Sequence, residues 1–133
     1  MGVKYLLDTH VFLWLVGSPD RLPGALVAEL ADPATDIAVS AATAMEIATK
    51  VRVGKLPEAA DLARPADWGR AVRRLGARTA DLTAPQCLMA GSLTWDNRDP
   101  FDRLLAAQAI ALSVPLITAD AAFRDLEGLT VRW

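Results

Sequence analysis

This 133-residue chain has almost no cysteine or histidine: Cys87 and His10 are the only ones. A lone cysteine excludes an internal disulfide and a cysteine-based zinc site, and it suits a reducing, cytoplasmic compartment. Neither sign of charge is in strong excess, with 14 Lys and Arg against 16 Asp and Glu for a net charge of −2. That argues against a histone-like or non-specific nucleic-acid binder. It leaves open an enzyme acting on nucleic acid, because a carboxylate-rich site itself makes a chain acidic. A long hydrophobic run is also missing. Residues 3–16 are apolar, but Asp8 and His10 interrupt them, so neither a signal-peptide core nor a membrane span is expected. There is no internal repeat and no low-complexity linker. What remains is 53% apolar and 23% charged residues, enough for a single globular domain over residues 1–133 with one core.

Short apolar runs alternate with helical patterns along the chain. Val3 to Leu7 is β-prone and ends at Asp8. A helix is expected over Val11 to Val16, stopped by Gly17-Ser18-Pro19, and another over Leu22 to Leu30. Asp36 to Val39 reads as a strand ending at Ser40, which can cap a helix from Ala41 to Arg52, stopped by Gly54. Residues 54–66 read as a loop. Ala66 to Gly76 reads as a helix with Arg70, Arg73 and Arg74 on one face, a solvated face or a first candidate for phosphate contacts. A short strand (Arg78 to Leu82), a helix (Pro85 to Leu93), a helix from Pro100 to Leu112 and a strand (Val114 to Ile117) follow. Ala121 to Arg124 reads as a short helix and Leu129 to Trp133 as a final strand. Such an order favours an α/β fold, a doubly wound parallel sheet of about five strands with helices on both faces.

The acidic residues fall at the junctions. Asp8 sits just past the first strand, at the edge where open α/β sheets bind ligands, although it or Thr9 can equally be a helix N-cap. Asp120 has the same two readings after the late strand. Asp99 reads as an N-cap, Pro100 as the first helical residue and Asp102 as the third. Asp102 there has a bland role as well, stabilising the helix dipole by about 0.3–1 kcal/mol. Glu46 lies in the helix after strand two, where it can also pair with Lys50 on a solvated face. A doubly wound sheet would gather Asp8, Glu46, Asp102 and Asp120 at its carboxyl edge. Four clustered carboxylates repel unless cations neutralise them. Oxygen ligands without a Cys or His set favour Mg²⁺, with Mn²⁺ as substitute, and suggest metal-assisted phosphodiester hydrolysis.

The motifs resemble those of the PIN-domain ribonucleases of the VapC toxin type, the toxic half of VapBC toxin–antitoxin pairs. The matching stretches are Leu6-Leu7-Asp8-Thr9-His10-Val11, the run from Ser40 to Ala48 around Glu46, and the run from Lys50 to Leu56. The most specific is Arg98-Asp99-Pro100-Phe101-Asp102-Arg103-Leu104-Leu105, continuing to Ala109. Pro115 to Asp120 and Phe123 complete the series, and residues 57–92 are its least diagnostic part. The resemblance implies a Mg²⁺-dependent endoribonuclease that leaves 5′-phosphate and 3′-hydroxyl ends. It implies that Asp8, Glu46 and Asp102 bind metal, with Asp120 as the more variable fourth acid. Thr9 and Thr118 would orient the carboxylates, Asp99 would shape the turn, and His10 and Arg103 are candidates for supporting or substrate contacts. A homodimer is implied, as is a VapB-type antitoxin whose tail covers the acidic site, an arginine of that tail competing with metal. Many relatives carry His at the position of Asn97 and Trp at that of Met45; neither departure removes a metal ligand. Cys87 is expected to be a small core residue.

Other classes fit less well. A receiver-type signalling domain needs adjacent acids after the first strand and a late lysine, and there is no Lys after Lys55. A haloacid-dehalogenase-type phosphatase needs Asp-x-Asp, which Asp8-Thr9-His10 lacks. A PIN-fold nuclease acting on DNA or in RNA processing outside a toxin role, and a catalytically idle interaction module, remain alternatives.

Overall fold

Residues 2–133 are described by a computed structural model. Five short strands form one parallel sheet: β1 (Tyr5–Leu7), β2 (Ile37–Ser40), β3 (Ala77–Ala80), β4 (Leu116–Ile117) and β5 (Val131–Arg132). Their spatial order is β3-β2-β1-β4-β5, with Leu7 in register with Val39 on one side and Ile117 on the other. The chain builds outward from β1 to β3, then crosses back to β4. The winding therefore reverses between β1 and β4, and in such sheets the crevice at the carboxyl ends beside that reversal is the natural ligand site.

Both faces of the sheet are covered at its centre, which is why β1, β2 and β4 are almost wholly apolar and buried, whereas the edge strands β3 and β5 carry Arg78, Thr79 and Arg132. Tyr5, Leu7, Ile37, Val39 and Ile117 face one layer of the core with Phe12, Leu26, Leu30, Ile47 and Val72. Leu6, Ala38 and Leu116 face the other with Leu105, Ala106, Ala109 and Phe123. Each fully buried large side chain contributes about 1.5–3 kcal/mol. The helices of these layers are α1 (Thr9–Gly17), α2 (Gly24–Ala31), α3 (Ala41–Arg52), α4 (Pro65–Arg74), α5 (Ala84–Ser92) and α6 (Pro100–Leu112). None is long and apolar enough to cross a membrane.

Local chemistry sets the helix ends. The Ser40 hydroxyl accepts from Ala42 N–H at 3.0 Å and starts α3. Beyond its C-terminus Gly54 adopts φ +79°, a conformation L side chains rarely take. Asp99 accepts from the N–H groups of Phe101 and Asp102 at 2.8 and 3.2 Å, with Pro100 at the first position of α6.

Three expectations change. The segment expected as a loop over residues 54–66 contains a 3₁₀ helix, Pro57–Ala63, whose Ala59 is buried in the core; its apolar spacing is too short for a period to show. Cys87 is exposed on α5 and not a core residue, because that helix turns Gln86 and Ala90 inward instead. The outer strands are shorter than their apolar runs, Leu129, Thr130 and Trp133 lying outside the paired residues of β5.

Candidate active site

Asp8 closes β1, its N–H donating to the Ile117 carbonyl of β4 at 3.0 Å. The side chain does two things at once. Oδ1 accepts from Val11 N–H at 2.7 Å and caps α1, while Oδ2 accepts from the Thr118 hydroxyl at the end of β4. Thr118 in turn accepts from Asp120 N–H at 3.0 Å. Cap and site are thus not rival roles for Asp8. Burial pushes its carboxyl above the usual range, opposed by the Thr118 and Val11 donors and by His10 and reinforced by the charge of Asp120.

Glu46 is buried, 4% exposed, in the second turn of α3. The Thr9 hydroxyl donates to Oε1 at 2.6 Å and the Lys50 ammonium to Oε2 at 2.7 Å. Thr9 Oγ1 lies 3.0 Å from Thr43 Oγ1. Since the single Thr9 proton goes to Glu46, Thr43 is the donor in that pair. The helical pair Glu46–Lys50 therefore exists, but its acid is buried and not on the solvated face that i,i+4 spacing suggested.

Asp102 stands at the mouth of α6, where Asn97 Nδ2 donates to its Oδ2 at 3.0 Å. Its pKa is pushed up to about 6, chiefly by burial, against the Asn97 hydrogen bond and reinforced by the charges of Asp99, Glu46 and Asp120. Those repulsions are felt from α3 and from the β4 edge, so the acids share one electrostatic field. Asp120 is exposed and caps the 3₁₀ turn Ala121–Asp125, accepting from Ala122 N–H at 2.9 Å.

Together these residues line a cleft of about 170 Å³ at the carboxyl edge, walled by Asp8, Thr9, His10, Glu46, Lys50, Asp99, Asp102 and Asp120 with Leu105 and Phe123. Two other candidates lie elsewhere. Arg103 turns away, its guanidinium donating to the carbonyls of Ala90, Leu93, Trp95 and Asn97 at 2.6–3.0 Å. It fastens the α5–α6 connection that carries Asn97 and holds no free donor toward the cleft. The arginine face of α4 is also remote: Arg70 pairs with Asp67, and Arg73 and Arg74 border a larger apolar groove of about 500 Å³ at the amino edge. Three contributors escaped the sequence reading as site residues: Lys50, Thr43 and Asn97. Lys50 carried a signal in its spacing from Glu46, and Asn97 in standing where many relatives carry His; the Thr43 contact with Thr9 spans 34 residues.

The donor set suits a hard divalent cation, being carboxylate oxygens backed by hydroxyls with no sulfur. Among the described residues no three Asp, Glu, His or Cys side chains stand close enough together to hold a metal ion as they lie. An open site fits the same donors, since Mg²⁺ retains several waters and takes few carboxylates. The raised pKa values of Asp8 and Asp102 reflect burial first, with Asp120 adding negative charge at both, and a cation would offset that cost.

Comparison with curated protein sequences gave no match. Solved structures with a similar fold include a chain of VapBC2 from Rickettsia felis bound to a promoter DNA fragment, with TM-score 0.71 and 20% identity over 98% of this chain and 98% of that one. DNA-bound VapBC from Salmonella typhimurium gives 0.70 and 14%, over 98% and 97%. A toxin–antitoxin complex from Klebsiella pneumoniae gives 0.64 and 18%, over 98% and 97%. At these identities the likeness is one of fold. The PIN-domain family model matches residues 5–129, nearly the whole length, and with the acidic cleft at the β1–β4 reversal the chain belongs to the PIN-domain family.

Proposed function

We propose that this protein is a divalent-metal-dependent endoribonuclease, the VapC-type toxin of a VapBC pair, with RNA as substrate and Mg²⁺ as the ordinary metal. The observation that carries the reading is the cleft itself: Asp8, Glu46 and Asp102 arrive from three different elements, and two of them have pKa values raised by burial and mutual charge. Family membership supports a nuclease, and the folds of the VapBC complexes support the toxin setting.

In this reading Asp8, Glu46 and Asp102 hold the cation, with Asp120 at the rim. Held there, a divalent cation would supply positive charge against the phosphodiester and would lower the pKa of a water. Thr118 and Thr9 fix the rotamers of Asp8 and Glu46, so the carboxylates need little reorganisation. Asn97 holds Asp102 by one oxygen and leaves the other for the cation. Asp102 must be ionised to hold a cation, and burial raises its pKa to about 6, so at limiting metal protons compete for the site around that pH. Water attack at phosphorus would leave 5′-phosphate and 3′-hydroxyl ends. His10, exposed among the residues that line the cleft, would in this reading meet substrate rather than metal. A VapB-type antitoxin covering the cleft and a homodimer belong to the same reading, as does a cytoplasmic setting.

The test is incubation of purified protein with total cellular RNA and with matched RNA and DNA oligonucleotides, in Mg²⁺ or Mn²⁺ and in EDTA. Discrete RNA fragments with 5′-phosphates, formed only with metal, are expected. Cleavage of DNA alone would favour a DNA nuclease. Metal binding without cleavage of any nucleic acid would favour an interaction module.

A further inference from the structure

The acidic cleft contains one strong cation of its own. Lys50 is the only Lys or Arg among the residues that line it, and its ammonium lies 2.7 Å from Glu46 Oε2. Helical i,i+4 pairs are common, and on an exposed surface they contribute little, about 0.3–0.5 kcal/mol. This one differs. The Glu46 side chain is only 5% exposed and that of Lys50 33%, whereas in the other ion pairs among the described residues both partners are at least about a quarter exposed. Glu46 also has an independent tether, the 2.6 Å hydrogen bond from Thr9, itself backed by Thr43. The carboxylate is therefore oriented without Lys50. What Lys50 adds is one positive charge against Glu46, in the cleft that Asp8, Asp102 and Asp120 also line.

We propose that Lys50 is a built-in counter-ion of the acidic cleft, neutralising Glu46 until a divalent cation enters and thereby setting how tightly that cation is held. The inference rests on the metal-binding reading above. Because orientation comes from Thr9 and charge from Lys50, removing the two should act in opposite directions. Losing Lys50 leaves the carboxylates more negative and a divalent cation better attracted. At low ionic strength one unit charge about a carboxylate's length from a divalent ion is worth roughly five- to tenfold in affinity. Losing the Thr9 hydroxyl frees the Glu46 rotamer and weakens binding.

The experiment is calorimetric titration of Mg²⁺ and Mn²⁺ into the wild-type protein and the variants Lys50→Met, Lys50→Arg and Thr9→Val. Thermal melting in EDTA and in Mg²⁺ accompanies it. Lys50→Met is expected to bind either metal about five- to tenfold more tightly than wild type, to melt lower in EDTA and to gain more from Mg²⁺. Lys50→Arg, which keeps the charge, is expected to restore wild-type values, and Thr9→Val to bind more weakly. Unchanged or weaker binding by Lys50→Met would overturn the proposal, as would failure of Lys50→Arg to restore wild-type affinity. If Lys50→Met does not fold, tighter binding in an intermediate Lys50→Gln variant carries the same decision. Absence of metal binding by the folded wild type would instead sink the metal-site reading itself, so the two failures are distinct.

Discussion

The two edges of one sheet are built on opposite terms. At the carboxyl edge the chain buries Asp8, Thr9, Thr43, Glu46 and Thr118 together, and the cleft they border is acidic. At the amino edge the groove between α2 and α4 is lined by Leu15, Val27, Leu30 and Ile37 and rimmed by Arg73 and Arg74. The larger of the two cavities is the apolar one, yet it holds no cluster of groups able to do chemistry. The smaller holds Asp8 and Asp102, whose carboxyls resist ionisation first through burial and then through neighbouring negative charge. Burying charge is expensive unless it is paired, and only Glu46 here has a cationic partner among the cleft's Lys and Arg. A fold keeps such an arrangement where another ion is to complete it, so cavity size is a poor guide to the site and electrostatic imbalance a better one.

The comparison makes predictions that would break it. The largest effect is expected from Asp102→Asn. If Asp102 helps to hold the proposed cation, its loss should lower RNA cleavage about 10³-fold, the scale of several kcal/mol of transition-state charge stabilisation. The same variant should melt higher than wild type in EDTA at pH 7. The sign follows from the pKa: the folded value of about 6 exceeds the ordinary 3.8, so the stability Asp102 contributes is full below about pH 4. It is lost as pH rises through about 6. A neutral Asn escapes that loss. A variant both inactive and less stable would make Asp102 a structural residue held by Asn97 in the first turn of α6.

Next comes Arg103→Ala, which removes the carbonyl clamp under Asn97. It should destabilise the protein by about 2–4 kcal/mol in denaturant titration; a change under about 0.5 kcal/mol would return Arg103 to the list of substrate contacts. Thr118→Val removes the donor to Asp8 and the acceptor for Asp120 N–H, and should weaken Mg²⁺ binding about 10- to 100-fold. Cleavage under limiting metal should then fall about tenfold between pH 7 and pH 5, as a proton competes for Asp102; a flat profile over that range would remove Asp102 ionisation from the reaction. Smallest of all is Arg73→Ala with Arg74→Ala at the amino edge. Cleavage of short oligonucleotides and stability should both stay within about 0.5 kcal/mol of wild type. A large loss of cleavage there would show that RNA reaches across the sheet.

Legibility from sequence followed the range of the interactions. The mouth of α6 was readable because Asp99, Pro100 and Asp102 act within one turn, where capping rules apply. Likewise α3 was readable between Ser40 and Gly54. The parallel sheet of about five strands followed from the alternation of elements, whereas its order, β3-β2-β1-β4-β5, came only with the structure. Contacts made across elements were not readable. Thr43 reaches Thr9 from 34 residues away, and Arg103 binds carbonyls 6 to 13 residues back, in a turn no local pattern defines. Lys50 was visible as half of a pair, but i,i+4 spacing does not say which side of a helix is buried. Cys87 was misread for a similar reason: small apolar character does not decide direction on a helix as weakly amphipathic as α5.

The central claim is that Asp8, Glu46 and Asp102 hold a divalent cation. It is tested most directly by soaking crystals of the protein in Mn²⁺ and recording anomalous scattering at the manganese edge. A peak in the cleft within coordination distance of those carboxylates, lost in Asp102→Asn, is the expected result. A cleft without manganese at saturating Mn²⁺, or a peak held elsewhere on the surface, would contradict the account.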